Sequence, residues 1–181
     1  MSRPDGVSPA RFGWVRVGAA GLLFRPITTM DLPFLYQVYA LTRTEELAAV
    51  PWSDEQKAAF LTMQFRAQHA DYERNYSSAD RLVILHGGVP IGRLYVERSE
   101  REHSVIDIAF LPEHRGQGFG GALMRDLMDE ADRAGKPLSI YVEKFNPAMR
   151  LYRRLGFETI EDKGVYNLMR WNTGNQVNTA S

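Results

Sequence analysis

One stretch constrains this chain more than any other: Ile106 to Leu127, an apolar run, a glycine-rich turn and the start of an amphipathic segment. The first part is β-branched and aromatic and stops at Pro112, which predicts a strand. Past the glycines, Leu123, Met124, Leu127, Met128 and Ala131 recur at helical spacing, with Arg125, Asp126, Asp129, Glu130 and Asp132 expected on the opposite face. A glycine-rich turn feeding a helix aims successive backbone N–H groups, and the positive end of the helix dipole, at one point. Such a point suits a phosphate or pyrophosphate.

The flanking sequence tells which sheet this unit joins. Leu22–Arg25 reads as a strand, and Thr28 or Thr29 caps a helix with Pro33 in its first turn and Phe34, Leu35, Val38, Tyr39 and Leu41 as its apolar stripe. Thr44 to Val50 is a second short helix, ended by Pro51. Ser53 and Gln56 form a capping box for a long helix reaching about Tyr76, packing through Phe60, Leu61, Met63, Ala67 and Tyr72. Arg81–His86, a Gly87-Gly88 turn and Ile91–Glu97, with Gly92 marking a bulge, lead through Arg98–His103 into the strand of the opening stretch. These three strands imply an antiparallel meander. Gly135 and Pro137 close the following helix, and Leu138–Glu143 is a strand reached by a parallel crossover. Asn146 and Pro147 open a short helix carrying Leu151, Tyr152 and Leu155. Phe157–Ile160 and Val165–Trp171 form a terminal hairpin around Asp162-Lys163-Gly164.

At 181 residues a single domain is expected, 21–171, between a flexible N-terminal segment 1–20 and a disordered tail 172–181. Trp14–Val17 adds at most a short strand. The formal net charge is zero, so nothing marks a nucleic-acid or membrane-surface partner. There is no cysteine, which excludes disulfides, cysteine-ligated metals and a cysteine nucleophile. His69, His86, His103 and His114 are scattered, with His103 and His114 expected at the surface, and no metal-ligand spacing is present. The first ten residues lack the apolar run of a signal peptide and no stretch is apolar for long enough to span a bilayer, so a cytoplasmic protein is expected.

Two ligand readings compete for the glycines. Gly116-Gln-Gly118-Phe-Gly-Gly121 satisfies the dinucleotide fingerprint, and Glu143 falls where a ribose-binding acid belongs. Against it, Pro112-Glu-His-Arg115 separates the strand from the first glycine, and only one further crossover follows. The second reading uses more residues. Arg115-Gly-Gln-Gly118-Phe-Gly120 resembles the R/Q-x-x-G-x-G/A signature of the GNAT superfamily of N-acetyltransferases. Asn146-Pro-Ala-Met-Arg-Leu-Tyr152-Arg-Arg-Leu-Gly156-Phe157 is similar to the second signature of that family, and Leu23 to Asp31 to its first strand and helix start.

The resemblance implies a mixed α/β sheet of about six to seven strands flanked by helices, with two parallel strands splayed to form the coenzyme cleft. It also implies acetyl-coenzyme A as co-substrate. Backbone groups of Arg115, Gly116, Gln117, Gly118, Phe119 and Gly120 would cradle the pyrophosphate, and Asn146 would add a contact. Ile108, Ala109 and Phe110 would pair with the pantetheine arm along the open edge of their strand. Tyr152 holds the place of the residue that protonates the leaving thiolate. Glu143, Asp107 and Glu97 are candidate bases for the acceptor amine, because a lysine-like amine with a pKa of about 10.4 is charged at neutral pH. Tyr141 stands where some members carry a catalytic Glu. Without a cysteine to hold an acyl group, direct transfer in a ternary complex is expected. A coenzyme-binding module without catalysis is the alternative.

The acceptor side falls to about residues 36–76, where Tyr36, Tyr39, Trp52, Phe65, Tyr72 and Tyr76 are candidates for an aromatic wall and Glu45 and Glu46 for attracting a cation. The terminal hairpin and any open sheet edge offer surfaces for a homodimer.

Overall fold

The computed structural model describes residues 8–174. Its strands are β1 (Leu22–Pro26), β2 (Asp80–His86), β3 (Val89–Arg98), β4 (His103–Phe110), β5 (Leu138–Glu143), β6 (Glu158–Lys163) and β7 (Tyr166–Trp171). They form one mixed sheet in the order β1-β2-β3-β4-β5-β7-β6. The only parallel pair in that order is β4 with β5. The last strand slips between β5 and β6, pairing antiparallel with both. A doubly wound dinucleotide fold needs a run of parallel strands, so this topology overturns the dinucleotide reading.

The helices are α1 (Val15–Ala19), α2 (Leu32–Thr42), α3 (Thr44–Ala48), α4 (Asp54–Asn75), α5 (Phe119–Arg133) and α6 (Met149–Arg154). The main core gathers Leu123, Met124, Leu127 and Ala131 of α5, Val105 of β4, Ile140 and Val142 of β5, and Tyr152 and Leu155. Each fully buried leucine there contributes about 2 kcal/mol of transfer free energy. A smaller cluster of Leu35, Tyr39 and Phe65 packs α2 on α4. The capping box forms, with Ser53 Oγ accepting from Gln56 N at 3.2 Å and Gln56 Oε1 accepting from Ser53 N at 2.9 Å. Within α4, Phe65 is the buried residue, whereas Met63, expected to pack, is 58% exposed.

The N-terminal segment corrects the sequence reading. Residues 8–20 are folded, not flexible, and Trp14–Val17 leads into helix α1 instead of a strand. Trp14 and Val17 are buried in the main core. The anchor is Asp126, expected on the outer face of α5 but buried. Its carboxylate accepts the N–H of Val17 at 2.9 Å and that of Arg16 at 3.2 Å, satisfying the first turn of α1. Trp14 Nε1 donates to Glu130 at 2.7 Å, and Glu130 also pairs with Arg98 of β3. His103 is a second correction: it is buried where β4 begins, and burial lowers its pKa. Residues 1–7 and 175–181, which include most of the expected mobile tail, lie outside the described residues.

Two irregularities shape the sheet centre. In β3, Gly92 sits beside a register shift, and a Cβ there would lie 2.5 Å from the carbonyl oxygen of Ala109. In β4 the register against β3 skips Ile106: Val96 faces Val105 and Tyr95 faces Asp107. This bulge follows directly on Val105, the last β4 residue paired with β5, opposite Ile140. A bulge bends its strand and increases the local twist. Past it, β4 and β5 diverge.

Candidate functional site

The divergence leaves a wedge-shaped opening between the ends of β4 and β5. Leu111 donates its N–H to Ile91 of β3 at 2.8 Å. By the two-residue alternation of a strand, the backbone groups of Ile108 and Phe110 then turn away from β3 toward the opening, while those of Ala109 turn toward β3. Of the three residues expected along this edge, Ala109 therefore turns its hydrogen-bonding groups to β3 and not to the opening.

The glycine turn lies at the wide end. Gly116 and Gly118 adopt φ of 72° and 84°, conformations that L side chains rarely adopt. Arg115 N–H is spent on Pro112 O at 3.2 Å, so the run of available donors starts one residue later than expected. Among the described residues, the N–H groups of Gly116, Gln117, Gly118, Phe119, Gly120 and Gly121 have no hydrogen-bond acceptor; the first bond of α5 runs from Ala122 N to Gly118 O. These donors, at the positive end of a fifteen-residue helix, make a cradle for an anion. The Phe119 side chain is buried and stands 6.3 Å from the Phe110 ring, which fixes the turn against β4. Arg115 Nε donates to Phe110 O at 2.9 Å, tying the exposed arginine to the strand end.

Helix α6 closes the other side. Asn146 Oδ1 accepts from Ala148 N at 2.9 Å, ordering the turn before a helix that begins at Met149, two residues past Pro147. Leu151 lies over Gly120 and Gly121. Tyr152 is 4% exposed, and its hydroxyl has no hydrogen-bond partner among the described residues. Burial, and then the charge of Asp107, push the phenol up, so it stays protonated through the physiological range.

The carboxylates differ in surroundings. Asp107 is bound on both oxygens: Oδ2 accepts from Arg93 Nη2 at 2.8 Å and from Tyr72 OH at 3.1 Å, and Oδ1 lies 3.4 Å from Arg93 Nε. Arg93 is 3% exposed and also donates to Gln68 at 3.1 Å. Glu97 accepts from Ser78 at 2.6 Å and faces Ser104, at the closed end of β4 away from the opening. Glu143 ends β5 at the open end, 2.7 Å from Arg43 Nη2. The aromatic residues divide as well. Tyr36, Tyr39 and Phe65 pack within the α2–α4 cluster, and Trp52 meets Phe60 edge to face at 5.3 Å. Tyr72 packs edge-on to Tyr95 at 5.3 Å and to Tyr76 at 6.1 Å, on the sheet face that carries Asp107. Arg43 is the residue sequence reasoning missed, because nothing near position 43 signals a partner on a distant strand.

A strand pair that opens beside a row of free amide donors is the arrangement of a coenzyme-dependent acyl-transfer fold. Comparison with known proteins agrees. The model of the acetyltransferase (GNAT) family matches residues 35–157, and the chain belongs to that family. The chain is similar to mycothiol acetyltransferase of Saccharomonospora viridis, with 35% identity over 82 residues, 44% of this chain and 23% of that protein. It thus spans under a quarter of that relative's length. Among solved structures it resembles the PaiA N-acetyltransferase from Thermoplasma acidophilum in complex with coenzyme A (TM-score 0.63, 15% identity, 83% of this chain and 98% of that one). It also resembles the ribosomal-protein-S18-alanine N-acetyltransferase of Escherichia coli (TM-score 0.51, 23% identity, 82% and 90% covered). At such identities the likeness establishes the fold. Among the described residues, no helix is long and apolar enough to cross a membrane.

Proposed function

We propose that this protein transfers the acetyl group of acetyl-coenzyme A directly to an amine while both substrates are bound. The observation that carries the reading is the opening of β4 from β5 immediately beside the unpaired N–H groups of Gly116 to Gly121. The donor row suits the coenzyme pyrophosphate, and the edge groups at Ile108 together with the Phe110 N–H suit an amide-bearing arm that adds to the sheet like a strand. Asn146, before α6, is our candidate for a further contact to the coenzyme.

The reacting groups follow from what each side chain has free. Asp107 is committed to Arg93 and Tyr72 and serves to hold the bulged strand. Glu143, at the open end, takes the ammonium proton that must leave before the nitrogen can attack the thioester carbon and passes it to solvent, and the second proton, lost from nitrogen as the amide forms, follows the same route. An N–H on the free edge of β4 donates to the carbonyl oxygen as that oxygen gains charge. When the carbon–sulfur bond breaks, Tyr152 donates its proton to the departing sulfur and is reprotonated from solvent. The amide and the free thiol leave. A chain without cysteine has no thiol to carry the acetyl group between substrates, and we place the protein in the cytoplasm.

The test is release of free thiol from acetyl-coenzyme A across a panel of primary amines, amino acids and peptides. Thiol release that depends on an amine, with the acetylated amine seen by mass spectrometry, is the expected result. Coenzyme binding with no transfer to any acceptor would make the protein a binding module instead.

A further inference from the structure

Arg43, between α2 and α3, meets the end of β5. Glu46, Glu143, the Tyr39 ring and the Tyr166 hydroxyl, which also reaches Glu143, surround its guanidinium. Nη1 donates to both Glu46 oxygens at 3.1 and 3.3 Å, Nη2 lies 2.7 Å from Glu143 Oε1, and Cζ stands 5.6 Å from the centre of the Tyr39 ring. Arg43 Nε is buried and has no acceptor among the described residues. Arg170 Nε shares that condition, but Arg170 faces Ser139 at the closed end of β5. Arg43 and Glu143 stand at the rim of the opening, with side chains 22% and 27% exposed, so solvent reaches both.

We infer that the Arg43–Glu143 pair is the acceptor site for an α-amino carboxylate, whose ammonium group binds Glu143 and whose carboxylate binds Arg43. The inference rests on the amine-acetylation reading above. A simple cationic amine on Glu143 would displace Arg43 and leave a half-buried guanidinium with one carboxylate fewer, which is costly in a desolvated setting. A zwitterion inserted into the pair leaves every charge with a partner. The Nε–Nη2 edge of a guanidinium is a fork that matches the two oxygens of a carboxylate. Here Nη2 would exchange Glu143 for the ligand, and the unpartnered Nε would gain an acceptor. Glu46 and the Tyr39 ring grip the other side of the guanidinium, so it stays in place while that edge changes partners. The amine then rests on the carboxylate that takes its proton, at the end of the splayed strand.

The experiment measures kcat and KM for the L-amino acids and for each decarboxylated amine, with the full chain and with Arg43→Gln and Arg43→Lys. Folding of each variant is checked by its melting transition with and without coenzyme A. The expected result is that Arg43→Gln lowers the ratio of kcat/KM for the amino acid to that for its amine by about tenfold or more, mainly through KM, and that Arg43→Lys restores part of it. If Arg43→Gln lowers both substrates in equal proportion, Arg43 only supports the fold of the cleft and the inference is wrong. If the unaltered enzyme favours the amines, the inference is also wrong, while the acetyltransferase reading stands. If no amine in either series is acetylated, the acetyltransferase reading itself fails and this inference with it.

Discussion

Arg93 and Asp107 form an ion pair at 2.8 Å beneath α4, with the guanidinium sealed from solvent. Removing one member leaves the other buried without a counter-ion. Asp107→Ala is expected to destabilise the protein by about 3–5 kcal/mol, measured by urea unfolding. Replacing both members with apolar residues, Arg93→Met with Asp107→Leu, recovers most of the loss. If Asp107→Ala unfolds like the parent but abolishes turnover, Asp107 is the base after all.

The buried carboxylate of Asp126 satisfies the N–H groups of Arg16 and Val17. Asp126→Ala orphans the Val17 N–H, and the cost of one unsatisfied buried donor is about 1–3 kcal/mol. Hydrogen exchange at Val17 accelerates, and trypsin cleaves after Arg16. A Val17 amide that stays protected in the variant would show that core packing of Trp14 alone holds the segment.

Tyr152→Phe keeps the ring that packs against Phe157 and removes the donor for the departing sulfur. Turnover is expected to fall by about 10²–10⁴, with coenzyme affinity nearly unchanged. Steady-state kinetics and calorimetric titration with coenzyme A check the two halves of that statement.

The carboxylate of Asp31 is gripped by both arms of Arg25, at 2.7 and 2.8 Å, and by the Thr28 N–H at 2.8 Å. The hydrogen bonds to Arg25 are the main cause of its pKa falling to about 2, below the usual value of about 3.9. A depressed carboxylate stabilises the fold above the unfolded pKa, and that contribution disappears as pH drops from about 4 to about 2. The unfolding midpoint of the parent should therefore exceed that of Asp31→Asn at pH 5 and converge with it near pH 2. A gap that stays constant over this range would mean that Asp31 acts through the capping turn and not through its charge.

Much of the sheet and the donor cradle was legible because the signals are local. Short apolar runs bounded by turn residues marked β2 through β5, Ser53 and Gln56 marked the start of α4, and Gly116 and Gly118 marked the glycine turn. Asp126 misled for a physical reason. Helical periodicity sorts residues by polarity, and a carboxylate buried against the start of another helix looks the same in sequence as one facing water. Trp14 misled similarly: five residues are too few to announce a helix, and α1 persists because α5 supplies its cap and its packing.

The sequence by itself determined the order of elements, the family likeness and the glycine turn, since each depends on neighbours a few residues apart. Only the tertiary structure decided which carboxylate stands at the opening. Asp107, Glu97 and Glu143 are equivalent as letters, yet Asp107 is taken by Arg93 and Tyr72, and Glu97 is drawn to the closed end of the sheet. Glu143 alone meets Arg43 at the rim of the opening. These pairings join residues distant along the chain. They follow from the bulge at Ile106, which turns β4 away from β5 and sets what each strand end can reach.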